Sequence, residues 1–336
     1  MWYYCYMKKT VLTGVKPTGI VHIGNYFGAI KPAIEMANQT DGESYLFIAD
    51  YHALTTVKDG KQLNEHVKDL ACTWLACGLN ISKTVFYRQS DVPQIFELST
   101  ILANYTAKGL LNRAHAYKAI VQQAADQGLD PDHNVNVGLF TYPVLQTADI
   151  LLFDTHLVPV GQDQKQHIEM SADIAKAFNA VHGNTLIVPE PLITKEQATI
   201  QGLDGRKMSK SYGNQIPLFA KEAELKKYIK RIVTDSSLPT DPKSTDCLIF
   251  QIYKLFATDT ETKAMATRFK KGIGWGEVKE ELFNVANRTI APMREKYEYY
   301  MANFDKVDVI LDDGASRARD KAQKVIARVR KVVGAR

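Results

Sequence analysis

The sequence has no hydrophobic run long enough to cross a membrane as a helix. Such a span needs about 18 or more consecutive apolar residues, and the most apolar stretch, residues 144–153, already contains Gln146, Thr147 and Asp149. A transmembrane interpretation is therefore excluded. The hydrophobic fraction of 45% and the charged fraction of 24% are ordinary for a globular protein, which excludes disordered, collagen-like and fibrous classes.

Cysteine is also scarce, with four residues in 336: Cys5, Cys72, Cys77 and Cys247. They form no C-x-x-C pair and are too few for a disulfide framework in a chain of this length, so the sequence predicts a reducing, cytoplasmic environment. Cys72 and Cys77 alone cannot supply the four thiolates of an iron–sulfur cluster. Residues 1–7 lack the basic and apolar regions of a secretion signal, and either Met1 or Met7 is a possible native start.

The length predicts about two domains.

The net charge of +5 is unevenly distributed along the chain. Residues 317–336 carry eight basic residues and one acidic residue, Asp320. Apolar residues recur there at helical spacing, which favours an amphipathic helix with a solvated basic face. A contact with nucleic acid or another polyanion is the alternative.

The first half of the chain alternates short apolar runs with helical stretches, which predicts an α/β fold with a doubly wound, Rossmann-like parallel sheet. The predicted strands are residues 10–15, 45–49, 84–88, 156–160 and 185–188. The predicted helices are residues 26–38, 63–77, 93–103, 144–153 and 164–181. In such sheets ligands bind beyond the carboxyl ends of the strands, so we expect functional residues just after Val15, Ala49 and Val160.

From Lys221 onward helical periodicity replaces the apolar runs, and this predicts a second, all-helical domain. The expected interruptions are residues 236–242 and the glycines Gly272, Gly274 and Gly276. A stretch with glycine and serine, residues 202–213, predicts a mobile loop between the two halves. We therefore expect an α/β domain at 8–214, a helical domain at 215–310 and a basic amphipathic helix at 311–336.

A turn suited to phosphate follows the first predicted strand. It contains Lys16-Pro17-Thr18-Gly19 and then His22-Ile23-Gly24-Asn25. Gly24 permits close approach of a ligand to the backbone, and the helix that follows directs N–H groups and a positive dipole at the turn. His22 and Asn25 can hydrogen-bond phosphate or ribose oxygens. A four-residue match of this kind alone arises often by chance.

A second motif, Lys207-Met208-Ser209-Lys210-Ser211, lies in the predicted loop. Its lysines and hydroxyl groups supply charge and hydrogen-bond donors for a polyphosphate. A loop that closes during the reaction can stabilise charge as it develops. The alternative, a basic solvated loop, is a poorer account of the complete five-residue string.

With both motifs, the chain resembles the class I aminoacyl-tRNA synthetases, and more closely the bacterial tryptophanyl-tRNA synthetase family. The resemblance covers about residues 8–336 and is carried by residues 12–19 (LTGVKPTG), 140–152 (FTYPVLQTADILL) and 158–167 (VPVGQDQKQH). It implies ATP-dependent activation of tryptophan, Mg²⁺ bound through the ATP phosphates, transfer to tRNA(Trp) and a homodimer. It assigns the catalytic role to His22, Gly24, Lys207, Ser209 and Lys210.

The amino-acid pocket is expected on one predicted helix. Tyr142, Gln146 and Asp149 are spaced i, i+4, i+7 and share a face of an apolar helix that Pro143 helps to start. A carboxylate in such a run is costly unless a donor meets it, and indole has one N–H to donate. By resemblance Asp149 accepts that N–H and Gln164 contacts the amino group. The alternative is that Asp149 caps a helix or pairs with an arginine inside the fold.

The remaining ATP contacts are also assigned by resemblance. Gly161-Gln162-Asp163 follows the predicted strand at 156–160, and Asp163 with Gln166 fits a helix-capping pattern. The full predicted ATP-binding set is Lys16, Pro17, Thr18, Gly24, Asn25, Gly161, Gln162, Asp163, Ile200, Lys207, Met208, Ser209, Lys210 and Ser211.

The sequence departs from the family at several positions, and three other functions remain to be compared. His22, Lys16, Gln146 and Gln162 replace the residues that many members carry, which leaves analogue selectivity open. Lys118 is a phosphate-site candidate where members often have two lysines.

The alternative functions are those of a tyrosyl-tRNA synthetase, a small-molecule nucleotidylyltransferase and a catalytically inactive paralogue. The intact 207–211 motif argues against the inactive paralogue.

Overall fold

Five short parallel strands form the sheet at the centre of the molecule. The computed structural model describes residues 9–193 and 200–335, without the side chains of Asp163 and Lys210. In these ranges the strands are β1 (Val11–Val15), β2 (Ser44–Ile48), β3 (Thr84–Arg88), β4 (Leu157–Val160) and β5 (Glu190–Ile193). Their order is β3-β2-β1-β4-β5, and all neighbouring pairs are parallel. The predicted doubly wound α/β class is confirmed, with its switch point between β1 and β4.

Four of the predicted strands agree with the structure to within one residue at each end, and the fifth prediction is wrong. Residues 185–188 do not pair with the sheet, because Asn179 Oδ1 accepts the backbone N–H groups of Thr185 (3.1 Å) and Leu186 (2.9 Å). The edge strand begins later, at Glu190, whose N–H donates to His156 O at 2.8 Å.

Both faces of the sheet are covered by apolar cores. Leu46, Ile48 and Phe86 pack into one cluster. The alternating positions Tyr45, Phe47, Val85 and Tyr87 pack into the other. Burial on both faces explains why the strands are continuous apolar runs without polar alternation.

Helices of the first half connect these strands. They are α1 (Ile23–Asn25), a π-helical segment (Tyr26–Ile30), α2 (Lys31–Gln39), α3 (Asp50–Ala53), α4 (Gly60–Ala76), α5 (Gln94–Ala103), α6 (Lys108–Leu111), α7 (His115–Asp126), α8 (Val137–Leu151) and α9 (Lys165–His182). Three 3₁₀ turns, Gln89–Asp91, Gln162–Gln164 and Lys210–Tyr212, complete the set in the described residues.

Helix α8 begins seven residues earlier than predicted. Its N-cap is Asn136, whose Oδ1 accepts the N–H of Leu139 at 2.9 Å. Pro143 therefore lies inside the helix and does not start it, which corrects the sequence interpretation. The cap satisfies one of the N–H groups at the helix start, so the helix extends back to Val137.

The second half is helical, as predicted, and consists of α10 (Glu222–Lys230), α11 (Leu248–Phe256), α12 (Asp259–Lys271), α13 (Trp275–Ala302) and α14 (Phe304–Val333). Gly272 and Gly274 lie between α12 and α13, but Gly276 lies within the first turn of α13 and does not interrupt it. Ile229, Phe256 and Leu282 belong to the same core cluster as Ile23 and Phe86. The helical half thus shares a core with one face of the sheet.

A single helix, α14, runs through the predicted boundary between residues 310 and 311. Its first part contributes Val307 and Leu311 to one core cluster, and its second part contributes Ala318 and Val325 to the other. Because β3 is an edge strand, α14 covers an edge whose backbone groups would otherwise be open to pairing with another chain.

Gly314 is the residue at which α14 crosses β3. A Cβ atom at this position would overlap the backbone of Phe86, with the carbonyl oxygen nearest. We expect Gly314→Ala to lower the free energy of unfolding by about 1–3 kcal/mol, since overpacking displaces helix from strand. Gly276→Ala, where the space around a Cβ is open, is the matched control. Equal unfolding midpoints in urea for the two variants would contradict the close crossing.

The basic face of α14 is engaged in ion pairs within the chain. Arg330 makes a two-bond contact with Glu97 of α5, both bonds 2.6 Å. Arg328 and Lys321 both contact Asp154, at 2.5 and 3.1 Å. These pairs lower the pKa of Asp154 although its burial acts in the opposite direction. Part of the basic face is therefore paired within the chain, and is neither fully solvated nor free for a polyanion.

Replacing Arg328 and Arg330 by alanine together is therefore expected to lower stability only slightly, because the pairs are partly exposed to solvent. The salt dependence of the affinity for nucleic acid is expected to stay unchanged. Lys331→Ala, which removes an exposed charge from the same turn, is the control. A slope of log affinity against log salt that falls by about two in the arginine variant would instead indicate phosphate contacts.

Within the described residues, no helix is both long enough and apolar enough to cross a membrane. The cysteines described, Cys72, Cys77 and Cys247, are free thiols. Burial raises the pKa of Cys72 and of Cys77 to about 12, so both are held as thiols at neutral pH.

Candidate active site

The His22 turn closes on itself through a reciprocal pair of hydrogen bonds. His22 Nδ1 accepts the N–H of Asn25 at 3.3 Å, and Asn25 Oδ1 accepts the N–H of His22 at 3.2 Å. His22 is thereby the N-cap of α1. Because Nδ1 accepts, the neutral imidazole carries its proton on Nε2, the nitrogen suited to donate to an anion.

The structure brings the second motif against this turn. Met208 is buried, and its Sδ lies 3.3 Å from the point where a Cβ on Gly24 would stand. The segment that follows the loop also pairs with the His22 turn, since Ile23 N donates to Ile216 O at 3.0 Å. The two motifs, 184 residues apart from Gly24 to Met208, therefore form one surface.

Lys207 is exposed beside the buried Met208, and Ser209 is half-buried. Backbone pairing holds the base of the loop, where Met208 N donates to Ile200 O at 2.9 Å. The side chain of Lys210 lies outside the described residues. Ser211 N–H donates to Ser209 Oγ at 3.3 Å, so the two predicted hydroxyl residues are directly connected.

Asp149 is completely buried and accepts hydrogen bonds from two side chains. His52 Nε2 lies 2.8 Å from Oδ2, and Gln89 Nε2 lies 2.9 and 3.0 Å from the two carboxylate oxygens. Complete burial raises the pKa of Asp149, and the hydrogen bonds from His52 and Gln89 oppose that shift. A carboxylate has about four lone-pair directions, so these contacts leave it capacity to accept one more N–H. The partners of Asp149 inside the fold are thus a histidine and an amide, and not the arginine of the alternative interpretation.

The same helix places Tyr142 and Gln146, both half-buried, on the side of α8 that carries Asp149. Tyr142 OH lies 2.6 Å from His167 Nε2, and His167 Nδ1 lies 2.9 Å from Gln164 Oε1. An amide oxygen only accepts, so in the neutral ring Nδ1 carries the proton and Tyr142 donates to Nε2. His167 thus connects two of the four residues predicted for the amino-acid pocket.

The segment after β4 differs from the predicted cap. Gly161 precedes the 3₁₀ turn Gln162–Gln164, and the N-cap position of α9 is Gln164, which makes no side-chain cap bond. Gln162 is exposed at the carboxyl end of β4. The Asp163 side chain lies outside the described residues. The short 3₁₀ turn places the helix start at Lys165, one residue later than predicted.

Other predicted contacts lie around the carboxyl end of β1. Lys16 Nζ donates to Thr55 Oγ1 at 2.9 Å; Pro17 is buried, while Thr18 and Asn25 are exposed. Lys118 is exposed on α7, with no contact to the motifs among the described residues. The structure gives no reason to group Lys118 with the phosphate site.

Four residues of this region were not predicted from the sequence: His52, Gln89, His167 and Asn214. His52 and Gln89 each follow a strand, after β2 and β3, so position alone could have marked them. We expected functional residues just after Ala49, but His52 is recognised only through its partner Asp149, which is 97 residues away in sequence.

A doubly wound sheet whose switch point carries an H-x-G-N turn, with a K-M-S-K-S loop packed against that turn, is the arrangement of a class I aminoacyl-tRNA synthetase. A family model described as tRNA synthetases class I (W and Y) matches residues 7–291, and the chain belongs to this family.

Tryptophan–tRNA ligases are among its most similar relatives. That of Xylella fastidiosa (strain 9a5c) is 48% identical over 334 residues, which cover 98% of this chain and 77% of the relative. That of Neisseria meningitidis is 47% identical over 98% of both chains. The crystal structure of the Campylobacter jejuni tryptophanyl-tRNA synthetase complexed with ADP and tryptophan has a TM-score of 0.88 at 42% identity, covering 97% of this chain and 99% of that one.

Proposed function

We propose that this chain is a tryptophan–tRNA ligase, which activates L-tryptophan with ATP and transfers the acyl group to tRNA(Trp). The observation that carries the proposal is the buried Asp149 carboxylate, held by His52 and Gln89 on the helix that also carries Tyr142 and Gln146. Indole presents one N–H to such an acceptor. A phenol hydroxyl would also fit, and the relatives at 47–48% identity support indole.

Activation needs no side-chain nucleophile. The tryptophan carboxylate attacks the α-phosphorus of ATP, the bond to the bridging oxygen breaks, and pyrophosphate leaves with its electron pair. Catalysis then rests on positioning and on stabilisation of developing charge. His22 Nε2–H, the Gly24 backbone and the lysines of the loop, Lys207 and Lys210, are the groups we assign to the phosphates.

ATP itself is proposed to lie across the switch point. We assign it to the crevice beyond the carboxyl ends of β1 and β4, where a nucleotide binds in this fold class. The residues proposed to border this crevice are Gly161 and Gln162 after β4, the turn from Lys16 to Asn25, and the base of the loop. Mg²⁺ enters with ATP and neutralises charge on its phosphate oxygens. At the other end Tyr142 and Gln164, connected by His167, face the amino group of tryptophan.

Transfer to tRNA requires a second surface, and we assign it to the helical half, residues 215–310. The proposed assembly is a homodimer in which one subunit takes the acceptor end and the other meets the anticodon. Light scattering during gel filtration tests the dimer, and a mass of one chain would contradict it. With ATP and tRNA as substrates, the cytoplasm is the expected compartment.

Pyrophosphate exchange into ATP, measured with each of the twenty amino acids, tests the reaction and the substrate together. We expect exchange with tryptophan and little with tyrosine. A second measurement follows aminoacylation of tRNA(Trp) with labelled tryptophan. Exchange that is strongest with tyrosine would overturn the substrate, and an absence of exchange with all twenty would favour the inactive paralogue.

A further inference from the structure

The signature loop, residues 200–214, is built as a hairpin. Gln201 pairs with Lys207 in an antiparallel bridge, and Gly202 N donates to Arg206 O at 2.7 Å. Gly205 sits at the tip with φ of +82°, a conformation that favours glycine. Lys207 and Met208 lie at the end of the second arm of this hairpin.

Asn214, at the end of the loop, is buried, and its side chain hydrogen-bonds three other residues of the loop. Its Oδ1 accepts the N–H of Ser209 at 2.9 Å, and its Nδ2 donates to Lys207 O at 3.2 Å. Nδ2 also donates to Asp204 Oδ1 at 2.6 Å. One side-chain amide therefore holds the backbone on both sides of Met208, the residue that packs against Gly24.

Space around the amide is fully used. A Cβ at Gly202 would overlap the side chain of Asn214, and Leu203 N donates to the backbone oxygen of Asn214 at 2.9 Å. The orientation of the amide is also fixed by its partners. Ser209 N–H can only donate, whereas Asp204 and Lys207 O can only accept.

Asp204 is kept as an acceptor by its own partners. Arg206 Nε donates to Asp204 Oδ2 at 2.8 Å, and the guanidinium lies over the Tyr212 ring, 4.4 Å from its centroid. The hydrogen bond from Asn214, with those from Arg206, lowers the pKa of Asp204 to about 2. The carboxylate is consequently ionised at neutral pH.

We infer that Asn214 is a positioning residue for the activation step, acting through the backbone of Lys207 and Ser209 to hold the signature loop against the His22 turn. The inference rests on the proposed function for the role of the loop. Asn214 lies outside the five-residue motif, and it is given no contact with substrate. Its action is geometric, since a displacement of about 1 Å in a reacting group can cost about 10²-fold in rate.

Asn214→Asp tests the inference with almost no change in side-chain size. The new carboxylate would face Asp204 and would lose the donor to Lys207 O. We expect kcat for tryptophan-dependent pyrophosphate exchange to fall by about 10- to 100-fold, with the dissociation constant for tryptophan nearly unchanged. The melting temperature is expected to fall as well, because the new carboxylate is buried beside that of Asp204. Hydrogen exchange at the amide of Ser209 is expected to accelerate.

Rescue by a second substitution makes the test specific. Asp204→Asn alone is expected to have a small effect, because its amide oxygen can still accept from Asn214. Combined with Asn214→Asp it returns a donor to the new carboxylate, so the double variant is expected to recover activity over Asn214→Asp. Such non-additivity is what direct contact predicts.

Asn179→Asp is the matched control, because Asn179 also bridges backbone groups, donating to Leu186 O at 2.8 Å and accepting from Leu186 N at 2.9 Å. It is expected to lower stability without changing kcat. Wild-type kcat in Asn214→Asp, or a loss of kcat accompanied by an equal loss in tryptophan affinity, would overturn the inference. Wild-type protein without tryptophan-dependent exchange would overturn the proposed function instead, while Ser209 hydrogen exchange would still report on Asn214.

Discussion

Replacing Asp149 by alanine is expected to lower kcat/KM for tryptophan activation by about 10²-fold or more. A site built to accept one hydrogen bond loses its partner, and the variant also leaves the donors of His52 and Gln89 without their acceptor. The affinity for ATP is expected to change little. Pyrophosphate exchange at varied tryptophan and ATP concentrations separates the two effects.

A substrate analogue makes the assignment sharper. 1-Methyltryptophan lacks the indole N–H, so the wild-type protein is expected to discriminate strongly against it, and Asp149→Asn and Asp149→Ala are expected to discriminate less. Asp69→Ala, which removes a carboxylate that accepts from Tyr297 OH at 2.6 Å, is the control for a purely structural loss. Wild-type kinetics for tryptophan in a folded Asp149→Ala variant would contradict the assignment.

The donors to Asp149 show where reasoning from sequence stops. Helical spacing was enough to put Tyr142, Gln146 and Asp149 on α8, because that pattern is local. The partners His52 and Gln89 lie 97 and 60 residues away along the chain, in the segments that follow β2 and β3. Only the strand order, which sets β2 beside β3, brings them together.

The misplaced fifth strand has a similar cause. Residues 185–188 have the composition of a strand, yet Asn179 occupies two of their backbone N–H groups. A side-chain bond of this kind competes with sheet pairing, and the apolar pattern does not reveal it. Strands β1 to β4, in contrast, were predictable because burial on both faces requires continuous apolar runs.

The basic end of the chain illustrates a limit of charge counting. Its composition was compatible with a polyanion contact or with a solvated face, and the structure provides a third arrangement in which Arg328 and Arg330 pair with Asp154 and Glu97. These carboxylates are more than 170 residues away in sequence, so net charge could not identify them.

Replacing Lys207 by alanine is expected to lower the rate of tryptophan activation by about 10²- to 10³-fold, the range observed when one charge-stabilising donor is removed from an active site. The dissociation constant for tryptophan is expected to stay nearly unchanged, because the lysine is assigned to the phosphates of the transition state and not to the amino-acid pocket. Lys207 is suited to this role by its surroundings: it is exposed, while the next residue, Met208, is buried against Gly24.

Three measurements on Lys207→Ala decide between this role and a role in shaping the pocket. Single-turnover formation of the adenylate gives the rate of activation, calorimetry gives the affinity for tryptophan, and transfer from preformed adenylate to tRNA gives the second step, which should suffer less. Lys176→Ala, which removes an exposed lysine of α9 that lies 3.9 Å from Asp173, controls for the loss of one positive charge. If tryptophan affinity falls in Lys207→Ala while the single-turnover rate at saturation is retained, the loop shapes the amino-acid pocket and its assignment to the phosphates is wrong.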